Sequence, residues 1–302
     1  MMEMKLTIAV ITMNRAAQLK EALESCLACN LPQETEFVII DNASTDDTEL
    51  TVTTLLENCG YPYYYEKLPE NLGVGGGRNY AFSKSNGQYV YVLDDDAVID
   101  VEKNPDFFGR ALQMLVDNPK IVTLTTQIYD VVWEANRVDN DNREIAPKIR
   151  LCKMFCGGSH FLRKSFFPTQ PYLPNKYGYE ELLPSLLVMD AGMYNGFAPD
   201  LLVIHKPKIN KWDWNDEKNL ALLTNECAVP YATKRMMYPQ IFQPLVWLAY
   251  RARVKAHLTK HPECVKKCRQ IVRETIEKYA FDRRIKVKTV IRMCRDYGMS
   301  VF

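Results

Sequence analysis

Short apolar runs alternate with helical stretches through the first hundred residues, and this alternation limits the fold more than any other feature. Strands are predicted at residues 6–12, 37–40, 61–68 and 89–93, with a helical segment after each of the first three. Strand–helix–strand order predicts a mostly parallel sheet with helices on both faces. We therefore expect an α/β fold of the Rossmann-like kind.

Three consecutive carboxylates, Asp94, Asp95 and Asp96, stand at the end of the fourth predicted strand. Ligands of parallel sheets bind just beyond the carboxyl ends of the strands. Because side chains alternate, Asp94 and Asp96 should point to one side and Asp95 to the other. Clustered carboxylates need a cation or hydrogen-bond donors to offset their charge, and oxygen ligands suit Mg2+ or Mn2+, which usually also hold a phosphate. Taken alone, the triplet is also explained by a solvated acidic turn.

Length and composition indicate a soluble globular protein. The 302 residues suffice for one large or two small domains. No stretch approaches the roughly 20 apolar residues of a membrane-spanning helix, and no signal-peptide pattern opens the chain, so a cytoplasmic location is expected. The 9 cysteines are scattered, which favours reduced thiols. Cys26 and Cys29 form a CxxC motif, but no second cysteine pair is placed to complete a zinc site. The two residues are therefore better interpreted as thiols of the hydrophobic core.

The end of the chain is basic. Between Thr233 and Phe302 there are 17 Lys and Arg against 5 Asp and Glu. Such a block attracts nucleic acid, an anionic bilayer or a lipid diphosphate, although it also suits a helical subdomain with a solvated cationic face. No nucleic-acid-binding module is recognisable, so nucleic acid is not an expected partner. The apolar and aromatic segment 244–250 precedes Arg251, Arg253 and Lys255, which suits peripheral contact with the inner face of the cell membrane.

Polar residues and glycines follow the predicted strands where a nucleotide would lie. Carboxylates accept from the imide N–H of uracil or thymine, glycines admit a close backbone approach, and arginine pairs with a diphosphate. A glycine-rich turn is expected at 73–77, followed by a helix from Arg78. No Walker A sequence occurs and no GxGxxG follows the first strand, which disfavours P-loop ATPases and dinucleotide binders. The candidate nucleotide residues are Thr12, Asn14, Arg15, Asp41, Asn71, Gly76 and Arg78.

Several motifs together resemble a known family. In chain order they are LTIAVITMNR, VIIDNASTDDT, NLGVGGGRNYAF, the segment through Asp96, CGGSHFLRK, and YGYEELL through AGM. The chain from Leu6 to about Lys206 thereby resembles the inverting family 2 glycosyltransferases of the GT-A fold. The resemblance implies a GT-A domain over 1–210, with a nucleotide-binding half at 1–100 and an acceptor-binding half at 101–210. Residues 211–302 would form a basic helical extension.

The resemblance also implies roles for single residues. Asp41 would read the base of a nucleotide sugar, and Asp94 would contact its ribose, with Asp95 beside it in the nucleotide site. Asp96 would ligate the Mn2+ or Mg2+ that bridges the two phosphates. His205, at the end of the last predicted strand, would complete the metal site, although a lone histidine is more often structural.

For the acceptor side, the resemblance implies contacts from Gly157, Gly158 and Glu180. The family's usual acidic pair is Glu followed by Asp, and here Glu181 stands in the second place as the catalytic base. Glutamate keeps the carboxylate but reaches one methylene further. Alternatively, the two glutamates form an exposed first turn of a helix, where the helix dipole favours negative charge.

The predicted function is a metal-dependent inverting glycosyltransferase. It would move a hexose from a nucleotide-diphosphate donor, with a UDP-sugar expected, to a glycan or lipid-linked saccharide in cell-surface polysaccharide synthesis. One alternative is a sugar nucleotidyltransferase, but the glycine-rich loop that such enzymes carry after the first strand is replaced here by residues 14–17. Another is a non-catalytic nucleotide- or glycan-binding subunit. The donated sugar, the linkage and the oligomeric state are not predicted.

Overall fold

The first half of the chain forms a parallel sheet with helical crossovers, as predicted. The structure, a computed structural model, describes residues 5–137, 143–207, 217–279, 281 and 283–302. Strands and helices alternate as β1 (Leu6–Thr12), α1 (Ala16–Leu27), β2 (Thr35–Asp41), α2 (Thr48–Leu56), β3 (Tyr63–Lys67), α3 (Gly73–Lys84) and β4 (Tyr89–Asp94). The strands lie in the order β3-β2-β1-β4, and every neighbouring pair is parallel. All four carboxyl ends therefore meet at one edge.

Beyond β4 the sheet is mixed. The elements are β5 (Ala97–Ile99), α4 (Phe107–Asp117), β6 (Ile121–Asp130), β7 (Ala135–Asn136), β8 (Glu144–Ala146), β9 (Ile149–Cys152), β10 (Ser159–Arg163), α5 (Leu182–Asp190) and β11 (Tyr194–His205). Strand β10 runs antiparallel between β4 and β6, whereas β6 and β11 are parallel. Strands β8 and β9 are joined by two residues, too few for a parallel crossover. The parallel arrangement thus covers the N-terminal half of the sheet.

Helices cover both faces of the sheet because its strands are apolar on both sides. In β1, Leu6, Ile8 and Val10 belong to a buried cluster that includes residues of α1, α2 and α4. Ala9, between them in sequence, belongs to a second cluster with residues of α3 and α5. The period of two along one strand thus divides the core into two layers.

Helix α3 begins at Gly73, five residues before the helix start at Arg78 that the sequence predicts. A Cβ atom on Gly75 would overlap the backbone carbonyl of Leu173, because the segment 173–176 lies directly against this first turn. The absence of side chains at these glycines therefore allows the segment 173–176 to pack directly against the helix. The predicted glycine-rich turn is wrong because tertiary packing overrides the weak helix propensity of glycine.

Helix α3 makes a second contact with the part of the chain from 101 to 207 through Asn79. Its side chain donates to the backbone carbonyl of Tyr172 at 2.8 Å and accepts from the N–H of the same residue at 2.9 Å. Asn79 is buried, so this reciprocal pair satisfies polar groups that would otherwise be costly to desolvate. The helix is thus fixed to both halves.

The end of the chain is helical, as predicted. It contains α6 (Glu217–Met237), α7 (Gln243–Leu258), α8 (Pro262–Lys278) and α9 (Val287–Tyr297). Helix α5 shares a buried apolar cluster with α6, α7 and α9. Asp190, which ends α5, accepts from Thr289 at 2.7 Å and pairs with Arg283 at 2.6 Å. The predicted boundary at 210 and 211 lies outside the described residues, and the division into domains stays a prediction.

Two further expectations concern cysteines and membrane spans. All nine cysteines lie in the described ranges and are free thiols. Cys26 and Cys29 are buried in the core, where burial raises the pKa of Cys29 to about 12. Among the described helices, none combines the length and the apolar character needed to cross a membrane.

Candidate active site

Two aspartates and a histidine converge at the carboxyl edge of the sheet. Asp94 ends β4, Asp96 lies in the turn that follows, and His205 ends β11. One potential ligand atom from each lies within 4.8 Å of the other two. Asp95 points elsewhere: its oxygens accept from Thr12 at 2.7 Å and from Arg15 at 2.9 Å. Asp94 and Asp96 therefore share a side, as strand alternation predicts.

The orientation of His205 fits a metal ligand. Its Nδ1 lies 2.9 Å from a carboxylate oxygen of Asp130, and its Nε2 lies 3.2 Å from Asp96. When Nδ1 donates to Asp130, the Nε2 lone pair faces the cluster, as in metal-bound histidines. Burial lowers the pKa of His205, but the hydrogen bond and charge of Asp96 outweigh it and raise the pKa above its usual value. The carboxylates that favour a proton there also favour a divalent cation. Two carboxylates and one imidazole suit Mn2+.

Arg15 neutralises part of the acidic triplet. Its Nη1 lies 2.9 Å from Asp95 and 2.7 Å from Asp96, so one guanidinium bridges the two carboxylates. Burial raises the pKa of Asp95 to about 6, although Arg15 and the Thr12 hydroxyl act in the opposite direction. Thr12 and Arg15, both predicted nucleotide contacts, are here partners of the triplet.

Arg78 was predicted to contact the nucleotide, and that contact stays a prediction; within the protein its guanidinium pairs with carboxylates. The side chain is only 2% exposed, and its Nη2 donates to Asp94 at 2.7 Å and to the carbonyl of Gly157 at 2.9 Å. Its Nη1 donates to Glu180 at 2.8 Å and to Glu181 at 2.7 Å. The guanidinium thus forms ion pairs with three protein carboxylates, those of Asp94, Glu180 and Glu181. Arg78 therefore links Glu180 and Glu181, which lie 102 and 103 residues away in sequence, to Asp94. Asp94 belongs to the candidate metal cluster formed by Asp94, Asp96 and His205.

Glu181 is a buried carboxylate suited to accept a proton. It immediately precedes α5, and its side chain is 9% exposed, which removes the alternative of an exposed acidic turn. Burial and the neighbouring charge of Glu180 raise the pKa of Glu181 to about 8, although Arg78 lowers it. A carboxylate with a pKa near the working pH is an effective general base.

The predicted glycine pair lies between this carboxylate and the metal cluster. A Cβ atom on Gly157 would overlap the carboxylate of Glu181. A Cβ atom on Gly158 would lie 3.2 Å from a carboxylate oxygen of Asp94. A side chain at Gly157 would therefore displace the carboxylate of Glu181, and one at Gly158 would crowd that of Asp94.

The other predicted nucleotide residues mainly support loops at the same edge. Asp41 is buried, and its carboxylate accepts from the Ser44 N–H at 2.7 Å and the Tyr65 hydroxyl at 2.9 Å. Carboxylate oxygens have further lone pairs, so base recognition by Asp41 stays a prediction. The side chain of Asn14 accepts from the N–H of Thr45, and that of Asn71 accepts from the N–H of Gly73, each at 2.7 Å. A Cβ atom on Gly76 would lie 2.8 Å from that of Leu72.

Two residues of the site were missed by sequence reasoning. Asp130 ends β6 as Asp94 ends β4. An aspartate at the end of an apolar run is the sequence feature that could have indicated Asp130 as a site residue. Arg137 lies 3.1 Å from Nδ1 of His205 and 3.5 Å from Asp130. It belongs to the polar segment 134–148, where no local pattern indicates a partner. Parts of that segment form β7 and β8, and residues 138–142 lie outside the described ranges.

Solved structures of similar fold include a mannosyltransferase and a protein determined with UDP-GlcNAc. A mannosyltransferase from Pyrobaculum calidifontis, determined with GDP-Man and Mn2+, aligns with 99% of this chain and 81% of its own at a TM-score of 0.56 and 14% identity. The S. aureus TarS fragment 1-349, determined with UDP-GlcNAc, aligns with 99% of this chain and 89% of its own at a TM-score of 0.57 and 15% identity. At such identities these likenesses establish the GT-A fold alone.

Sequence comparison adds the family. A GalNAc(5)-diNAcBac-PP-undecaprenol beta-1,3-glucosyltransferase of Campylobacter jejuni is 29% identical over 92 residues, which are 30% of this chain and 29% of that protein. The model described as Glycosyl transferase family 2 matches residues 7–170, more than half of the chain. This range includes the acidic triplet and the glycine pair. The chain therefore belongs to glycosyl transferase family 2 and is a glycosyltransferase of the GT-A fold.

Proposed function

We propose that this enzyme is a metal-dependent inverting hexosyltransferase. It uses a UDP-sugar and a saccharide or lipid-linked saccharide acceptor in cell-surface polysaccharide synthesis. The observation that carries the proposal is the position of Arg78, which joins Asp94 of the metal cluster to the buried carboxylate of Glu181. One carboxylate base beside a cation site meets the needs of a single displacement with inversion. The Campylobacter relative, which acts on an undecaprenol diphosphate, supports the lipid-linked class of acceptor.

In the proposed reaction, Glu181 removes the proton from an acceptor hydroxyl. The resulting oxygen attacks the anomeric carbon from the face opposite the diphosphate, and the bond between that carbon and the diphosphate oxygen breaks. Arg78 orients Glu181 and Asp94 relative to each other, because hydrogen bonds of 2.7 Å connect both to the same guanidinium.

A divalent ion would be held by Asp94, Asp96 and His205. When bound, it supplies positive charge that stabilises the diphosphate leaving group. Asp130 holds the ring of His205 in the required orientation, and Arg15 holds the carboxylate of Asp96.

The proposal is tested by thermal unfolding and product analysis with a panel of nucleotide sugars. We expect a UDP-sugar to raise the Tm in the presence of Mn2+ and to have little effect without it, because only the folded state binds the pair. Slow transfer to water or to an acceptor should give a product of inverted anomeric configuration, as measured by NMR. Failure of every nucleotide sugar to raise the Tm, or a product of retained configuration, would contradict the proposal.

The proposed lipid-linked acceptor agrees with an exposed apolar surface on α7. Trp247 and Leu248 lie on this surface, with Leu248 55% exposed, and the guanidinium of Arg251 lies 4.8 Å from the Trp247 ring centroid. Arg253, which was predicted to join this surface, instead donates to Tyr179 at 3.1 Å and is half-buried. Exposed apolar residues beside cations suit the interface of an anionic bilayer.

Sedimentation with phosphatidylglycerol vesicles at low salt measures this membrane contact. We expect the wild-type protein to sediment and the Leu248→Glu variant to stay largely in the supernatant, because its new carboxylate faces anionic lipid. Leu50 on α2 is 65% exposed, so Leu50→Glu is the matched control and should sediment like the wild type. Equal sedimentation of the two variants would exclude α7 as the contact surface.

A further inference from the structure

A cavity of about 540 Å³ lies beside the metal cluster on the acceptor half. Arg137 lines it, and the same guanidinium lies 3.1 Å from His205. Cys156, another lining residue, directly precedes Gly157 and accepts from Arg137 at 3.5 Å. Through these two residues the cavity lies next to the glycine pair and to His205. Its volume is in the range of pockets that enclose small ligands.

The far wall of this cavity comes from the C-terminal segment 296–300. Asp296, Tyr297 and Ser300 line it. The segment is attached to the acceptor half by hydrogen bonds from Lys153 to Ser300 at 3.3 Å and from Tyr297 to the carbonyl of Cys152 at 3.1 Å. A segment more than a hundred residues from the glycine pair in sequence thus forms part of this cavity.

The chemistry of the lining suits a sugar ring. Tyr297 offers an aromatic surface together with a hydroxyl, Asp296 offers acceptor oxygens, and Ser300 offers a hydroxyl. Arg137 and Lys153 supply donors in the same lining. A pyranose presents hydroxyls around its edge and C–H groups on its faces, so it can use both kinds of contact. We infer that the terminal pyranose of the acceptor binds in this cavity and that the segment 296–300 determines acceptor specificity.

This inference rests on the proposed transferase activity and is tested by narrowing the cavity. The Ser300→Trp variant places a large side chain in the lining, whereas Met299→Trp adds the same side chain at a neighbouring position that is 64% exposed and outside the lining. Both variants are assayed with a UDP-sugar, Mn2+ and a panel of p-nitrophenyl pyranosides. We expect Ser300→Trp to raise the KM for the acceptor about tenfold or more, with unchanged release of UDP by transfer to water. Met299→Trp should behave like the wild type.

The outcomes separate the two proposals. Absence of nucleotide-sugar turnover in the wild type would contradict the proposed function itself. Active wild-type enzyme combined with an unchanged acceptor KM in Ser300→Trp would overturn the inference, as would a parallel loss of transfer to water and to acceptor. Transfer to none of the pyranosides by an enzyme that transfers to water would also overturn it. If the tryptophan variant does not fold, Ser300→Leu narrows the cavity less and is judged by the same KM.

Discussion

Replacing Glu181 with Gln is expected to slow sugar transfer by about 10²- to 10⁴-fold while nucleotide binding is retained. Glutamine has nearly the same shape, and its carbonyl oxygen can still accept from Arg78, but it cannot take a proton from an acceptor hydroxyl. The turnover number should be measured with saturating donor. Calorimetry with UDP and Mn2+ gives the binding constant of the same protein.

Glu180→Gln is the matched control because Glu180 shares the same Arg78 nitrogen. The wild-type rate should increase as the pH rises towards about 8, where Glu181 loses its proton. Removing the charge of Glu180 should move this rise to lower pH, because that charge helps to raise the pKa of Glu181. A larger loss of turnover in Glu180→Gln than in Glu181→Gln, or a loss of UDP affinity equal to the loss of rate, would reassign the base.

Asp96→Asn is expected to weaken UDP binding in the presence of Mn2+ by at least about tenfold, which corresponds to roughly 1.4 kcal/mol. The substitution replaces an anionic ligand with a neutral amide beside Asp94 and His205. Without Mn2+, the affinity of the variant for UDP should be close to that of the wild type. Isothermal titration with and without the ion measures both values.

Asp95→Asn provides the comparison for the metal effect, since Asp95 lies in the same triplet but contacts Thr12 and Arg15. We expect the affinity of the Asp95→Asn variant for UDP to depend on Mn2+ as strongly as that of the wild type. Equal affinities of Asp96→Asn and the wild type in Mn2+ would show that the diphosphate is held without this carboxylate.

Local patterns were sufficient to predict much of the fold. The strand Leu6–Thr12 has the predicted bounds, because apolar periodicity reports which face of an element is buried. The last strand ends at His205, as predicted, and it begins at Tyr194. A register shift between Ala198 and Leu202 interrupts the pairing of this strand with β6. The alternation of inward and outward side chains is therefore broken along the strand, and the sequence pattern does not show its full length.

The candidate site was predictable only in part. Asp94, Asp96 and His205 stand at or beside strand ends, and topology brings such ends together. The partners of Arg78 could not be predicted in the same way, because its ion pairs with Glu180 and Glu181 span about a hundred residues. A buried guanidinium cannot be distinguished from an exposed one by its neighbours in sequence.

The attachment of α3 to both halves has a consequence for engineering. The glycines at the start of this helix pack against residues 173–176, Asn79 pairs with Tyr172, and Arg78 pairs with Glu181. A chimera that exchanged the acceptor half for that of a related enzyme would retain one side of these contacts and lose the other. Recombination designed to alter acceptor choice should therefore transplant α3 together with the foreign half.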